Sequence, residues 1–178
     1  QYIDPKTSKP FPEKKNGGYV GTSKYMSLQV HNGCDTCPRD DIISLCYSLV
    51  EMAGGKLPWR LTGDKNMKQI IKMKKTLPLD DIFGALPPQI QIMYKYSMKL
   101  KYLDKPDYKL LFYLLNDAIE QNDIHEKDPY DWESLDEDKI TELSPSVELP
   151  KAKYSVLYPN GIDRDVEIPE DLEIKEGN

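Results

Sequence analysis

The segment "DIISLCYSLVEMA", Asp41 to Ala53, constrains this chain more than any other. Ile42, Ile43, Leu45, Cys46, Leu49, Val50, Met52 and Ala53 cover nearly every direction around a helix. A helix that is apolar all round has no face to offer water, so it belongs inside a domain. Asp40 or Asp41 supplies an N-cap acceptor for the orphan backbone N–H groups at its start. Gly54-Gly55 supplies the positive φ that ends it. The spacing predicts a buried central helix around which everything else assembles.

The neighbouring segments read as helices too. Asn66 can cap "MKQIIKMKK", whose Met67, Ile70, Ile71 and Met73 interrupt a cluster of Arg60, Lys65, Lys68, Lys72, Lys74 and Lys75. Pro87-Pro88 opens a third helix through "QIQIMYKYSMKLKY", proline being tolerated in a first turn. Pro106 opens a fourth, "DYKLLFYLLNDAIEQ", with Leu110, Leu111, Leu114, Leu115, Ala118 and Ile119 at helical spacing. Residues 1–20, with three prolines and an adjacent glycine pair, read as an irregular entrance. Past about residue 122 the order weakens. Tyr130 and Trp132 of "DPYDWESLDEDK" are expected to anchor on the helical body, and "YSVLYPNGIDRDVEI" reads as a hairpin around Pro-Asn-Gly. The expected fold is mainly α: a helical domain over residues 1–133 and an acidic, mostly irregular tail over 134–178.

Charge divides near the last helix. Residues 1–109 hold 18 Lys and Arg against 11 Asp and Glu, a net +7, whereas residues 110–178 hold 6 against 19, a net -13. Such a body suits an anionic partner, and such a tail can repel one or fold over the basic surface. The stretch from Arg60 to Lys75 could bind phosphates as a nucleic-acid patch does. A sequence pI of about 5.0 and the acidic tail argue against nucleic acid. No apolar run approaches the roughly 20 residues of a membrane span, so no membrane partner is expected. Three cysteines are too few for a disulfide framework. Free thiols fit a reducing compartment, which points to the cytoplasm or nucleus. The chain opens on Gln1, with neither a start methionine nor a signal peptide, which reads as a beginning inside a longer product.

Chemistry-bearing motifs are sparse. Cys34-x-x-Cys37 with His31 offers three ligands where structural zinc takes four. Cys46 sits in the central helix and His125 is remote in sequence, so no metal is expected. No strand precedes the pair as a thioredoxin-like site requires. There is no Gly-x-Ser-x-Gly elbow, no His-Glu-x-x-His, no Walker loop and no Gly-x-Gly-x-x-Gly. Read from residue types alone, the chain carries no catalytic constellation.

Another set of motifs recurs in order. Gly21-Thr22-x-x-Tyr25-x-Ser27 precedes Arg39-Asp40-Asp41-x-x-Ser44-Leu45, then Leu57-Pro58-Trp59-Arg60, "LDKPDYKLL" and "DPYDWE". Over roughly residues 1–133 the chain strongly resembles the C-terminal (helical) lobe of a eukaryotic protein kinase of the casein kinase 1 group, most of all the tau-tubulin kinase branch. The tail beyond residue 133 resembles nothing recognisable.

The resemblance assigns roles. The aspartate matching Asp41 accepts backbone hydrogen bonds from the catalytic loop and holds it in shape, which a carboxylate does strongly; the plainer reading is a helix cap. The threonine matching Thr22 reaches the catalytic aspartate and helps orient the substrate hydroxyl, with Tyr25 in the same substrate-binding loop. Lys24 stands where the group usually has an arginine that binds an anion beside the substrate channel. Lys24, Arg60 and Lys68 would form that pocket, for substrates already phosphorylated or acidic. A lysine grips phosphate as a point charge, not through a bidentate fork. The plainer reading of the lysine cluster is a solvated face. Two departures stand out: Cys46 fills a position commonly glycine, and Gly17 replaces a lysine of the group.

The resemblance implies a protein substrate or partner, phosphorylated or acidic, with a cytoskeletal partner and location as one option, and ATP with magnesium as cofactors of a full-length parent. The glycine-rich loop, the strand lysine, the catalytic Asp and Asn and the Asp-Phe-Gly triplet are absent from the 178 residues. The expectation is therefore a substrate-binding half, not catalytic alone, with the N-lobe as its missing partner. The alternative is a non-catalytic, kinase-derived binding or scaffold module.

Overall fold

The computed structural model describes residues 2–14, 18, 20–63, 66–125, 127–130, 133 and 167–172. Six α-helices follow in order: α1 (Leu28–His31), α2 (Pro38–Met52), α3 (Met67–Thr76), α4 (Leu79–Phe83), α5 (Pro88–Lys99) and α6 (Tyr108–Gln121). A 3-10 turn, Glu170–Leu172, closes the described residues. No strand occurs among them, so the chain is mainly α as its sequence predicts.

α2 is the central helix, with two corrections. It begins at Pro38, three residues earlier than expected, because Cys37 is the N-cap and proline occupies the first turn. Asp40 is then the third helical residue, and its Oδ2 reaches back to accept the Cys37 backbone N–H at 2.9 Å. The capping carboxylate thus works from inside the first turn. The second correction concerns burial. Ile42, Ile43, Cys46, Tyr47 and Val50 are buried, but Leu45 is 42% and Met52 76% exposed. Among the described residues this helix is buried on one side and open on the other. Its end is as expected, with Gly54 at φ +73.

α2 packs on α5, and α5 packs on α6. Between them lies an aromatic cluster. Tyr47 meets Trp59 edge-on at 5.2 Å and stacks on Phe83 at 6.0 Å, while Phe83 and Tyr94 lie 4.9 Å apart. The two tyrosine hydroxyls hydrogen-bond at 3.0 Å, so neither is buried unsatisfied. Burying each such ring contributes about 1.5–3 kcal/mol, which makes this cluster the main fastening of the lobe. Arg39, itself buried, ties the start of α2 to the end of α5 by donating to Leu100 O at 2.9 Å.

α3, α5 and α6 fall where their periodicity places them. Asp107 caps α6, accepting from the Lys109 and Leu110 N–H groups. α1 and α4, of four and five residues, were too short for periodicity to reveal. Tyr130 is 58% exposed, so it is no buried anchor. Trp132 and most of the expected hairpin lie outside the described residues. Part of the acidic segment returns to the lobe: Leu172 is 1% exposed within the core, Ile168 packs against it, and Lys99 pairs with Asp171.

Candidate functional site

The loop from Gly21 to Ser27 is shaped by its first residue and held from beneath. Gly21 adopts φ +105, a conformation in which a side chain would be strained. The Tyr25 N–H then donates to Thr22 O at 2.9 Å, closing a tight turn. Below the turn, Lys74 is buried, and its Nζ donates to Ser23 O at 2.9 Å and Met26 O at 2.7 Å. The same ammonium lies over the rings of Tyr47 (4.9 Å) and Trp59 (5.0 Å) and 3.2 Å from His31 Nε2. Trp59 Nε1 donates to Lys24 O at 2.9 Å. Three carbonyls of one short loop are thus fixed by donors rising from the core, which rigidifies the loop without covering its outer surface.

Burial pulls the Lys74 ammonium down to about 7. The carbonyls and ring faces oppose that pull, since both favour the charged form. Burial, and secondly the charge of Lys74, holds His31 neutral, lowering it to about 4. At the loop's end Ser27 Oγ donates to Asp40 Oδ1 at 2.5 Å and accepts the Val30 N–H at 3.1 Å. Asp40, whose Oδ1 also accepts from Arg39 Nε at 3.3 Å, is therefore the hub joining loop, α1 and α2.

Above the loop opens a cleft of about 400 Å³ lined by Gly21, Thr22, Tyr25, Ser27, Asp41 and Ser44, among others. Thr22 and Asp41 are exposed on its walls. No hydrogen bond to the Asp41 carboxylate occurs among the described residues. Partial desolvation, then the charge of Asp40, raises its pKa above the ordinary carboxylate value. Chemically this is a cleft that sets an uncommitted carboxylate among several side-chain hydroxyls, beside a rigid loop.

No family model matches the chain. Individual proteins do. A probable serine/threonine-protein kinase of Dictyostelium discoideum is 39% identical over 122 residues, 68% of this chain. Casein kinase I homolog 3 of Saccharomyces cerevisiae is 35% identical over 76% of it. Casein kinase I homolog 2 of Schizosaccharomyces pombe is 30% identical over 82% of it. The chain belongs to the casein kinase 1 group of protein kinases. It spans 24%, 27% and 34% of those three relatives, respectively.

In this casein kinase 1-group lobe the residues singled out from sequence are distributed as follows. Thr22, Tyr25 and Asp41 share the cleft. Lys24 does not line the cleft; its Nζ pairs with the Glu51 carboxylate at 2.9 Å and lies 4.9 Å from the Tyr25 ring centroid. Arg60 is exposed, and its charge acts on Glu51. Lys68 is exposed in the first turn of α3, and no contact among the described residues joins it to Lys24 or Arg60. Of the ligands considered for a metal, Cys37 caps α2 with its Sγ 3.3 Å from Asp40, His31 contacts Ser23 O and Lys74, and Cys46 is buried in the core.

Three residues escaped the sequence reading. Lys74 looked like one member of a solvated lysine cluster, yet it follows Met67, Ile70 and Ile71 at helical spacing, which puts it on the inward side of α3. Glu51 is an acid at the C-terminal end of an apolar helix, where the helix dipole disfavours it. That conflict was the available signal. Asp40 was treated as interchangeable with Asp41, and only the helix start decides which carboxylate faces inward.

Proposed function

We propose that this chain is the substrate-binding half of a casein kinase 1-like Ser/Thr protein kinase, nearest the tau-tubulin kinase branch. The observation that carries the reading is the exposed Asp41 carboxylate, which stands uncommitted in a cleft at the first turn of the central helix. In this reading Asp41 accepts backbone N–H groups of the catalytic loop and fixes its shape. Thr22 and Tyr25 border the path of the substrate hydroxyl, and Lys24, Arg60 and Lys68 place positive charge on the substrate side. The exposed apolar residues of α2, Leu45 and Met52, support the same reading, because a further kinase segment would shield them.

ATP and magnesium belong to segments bearing the glycine-rich loop and the Asp-Phe-Gly triplet. The described residues here hold no group of three His, Cys, Asp or Glu placed to bind a metal. Their part is to bind and orient a protein substrate, a cytoskeletal one being a candidate, in the cytoplasm or nucleus. No helix among the described residues is long and apolar enough to cross a membrane. The helical body, residues 1–133, performs this role, with 134–178 as its appended tail.

The test is an assay of the kinase polypeptide in which this chain supplies the lower lobe. ATP-dependent incorporation of phosphate into serine or threonine of a protein substrate supports the reading. A folded polypeptide that binds such a protein without incorporation establishes the scaffold alternative.

A further inference from the structure

The loop residue assigned to anion binding is not free to receive an anion. Lys24 Nζ lies 2.9 Å from both Glu51 carboxylate oxygens, and the Tyr25 hydroxyl donates to Oε2. Glu51 thus takes a salt bridge and a hydroxyl hydrogen bond from consecutive residues of the substrate loop. Arg60, next to Trp59, adds a second favourable charge. These partners, the Tyr25 hydrogen bond first and Lys24 second, hold the Glu51 carboxyl below its ordinary range, so it is ionised at neutral pH. Two cations and a hydroxyl that could grip an incoming phosphate already face a carboxylate of their own chain.

We infer that Glu51 is a built-in occupant of the anion subsite formed by Lys24, Tyr25 and Arg60, so that this lobe takes substrates bearing no phosphate or acidic group at that position. The inference rests on the proposal that this loop faces substrate. Its physical basis is competition. A phosphate approaching Lys24 meets the like charge of Glu51 and must displace a carboxylate tethered in place, whose local concentration a free ion cannot match. Lys24 adds no bidentate fork that might hold both anions at once. Side-chain exposures of 31% for Lys24 and 26% for Glu51 leave the pair accessible enough for substitution to reopen the subsite. Glu51 acts through Lys24 and Tyr25, and so is a specificity-determining residue that touches no reacting atom.

The experiment titrates the 178-residue chain with inorganic phosphate and follows the Trp59 indole N–H resonance, because that group donates to Lys24 O. The wild-type chain is expected to show no saturable shift, whereas Glu51→Gln and Glu51→Ala should bind phosphate at least tenfold more tightly. Adding Lys24→Ala to either variant should abolish the gain. Glu51→Gln keeps the side-chain size, so the comparison survives if Glu51→Ala perturbs the fold. Saturable, Lys24-dependent binding by the wild type would overturn the inference, as would two variants that gain nothing. The titration reads the subsite without any phosphoryl transfer. A chain that behaves as expected here while its kinase polypeptide transfers no phosphate would retire the proposed function and leave Glu51's occupancy standing.

Discussion

Acidification should loosen this lobe through His31. The side chain is 3% exposed, its Nε2 is shared between Ser23 O at 3.1 Å and Lys74 Nζ at 3.2 Å, and its Nδ1 is buried without a partner. Burial first, and the Lys74 charge second, lower it from 6.5 to about 4. The unfolded chain therefore binds a proton between pH 6.5 and about 4 that the folded chain refuses, and stability rises with pH across that window. Stability is lost as pH falls below 6.5. Between pH 7.5 and 5.0 the loss from this group alone is about 2 kcal/mol, from 1.36 kcal/mol per pH unit over the part of the window crossed. Lys74, lowered to about 7, acts in the same direction, and exposed carboxylates add their own slope. The comparison with His31→Gln removes those common terms. Urea unfolding at both pH values should show the wild type losing about 2 kcal/mol more than the variant on acidification. Equal losses would mean that His31 is not held neutral by burial, and the packing described around Lys74 would be wrong.

Two further outcomes follow from burial. Leu172→Ala should cost about 2–5 kcal/mol in urea unfolding, because its side chain is enclosed in the core; a loss under about 0.5 kcal/mol, usual for exposed sites, would detach residues 167–172 from the lobe. Lys74→Met removes the donor from two buried carbonyls and also relieves a desolvated ammonium, so its net effect on stability is small. The loop should report the change instead, with faster amide hydrogen exchange at Tyr25 and Met26 than in the wild type. Unchanged exchange would show that the loop does not depend on Lys74.

What the sequence discloses here depends on how local the controlling physics is. α3, α5 and α6 were legible because 3.6-residue periodicity is written in adjacent positions, although Asn66 precedes α3 without a side-chain capping hydrogen bond. α1 and α4 were not, since four or five residues do not complete a period. The central helix was legible in its existence and its glycine end. Its start was displaced because Pro38 and Cys37 extend it by a turn, which decides between the two aspartates the sequence left open and turns Asp40 inward. At the site, Gly21, Thr22, Tyr25 and Asp41 were found by motif, but the motif is silent about what lies opposite. Glu51 is 27 positions from Lys24, and Lys74 reaches Ser23 across 51 positions. Such pairings depend on tertiary closure, and no periodicity within either segment encodes them. Leu172 lies in the acidic tail, which was read as mostly irregular, although Ile168 and Leu172 are spaced one helical turn apart.

The most direct measurement is the turnover of the kinase polypeptide bearing this lobe when Asp41 is changed to Asn. Asparagine keeps the shape of the side chain but loses the charge that would clamp the catalytic loop. The account predicts that kcat falls by about a hundredfold, the order of loss from a misplaced reacting group, while the unfolding midpoint stays near that of the wild type. An Asp41→Asn kinase with undiminished kcat would contradict it, for the cleft would then be a surface feature with no part in phosphoryl transfer.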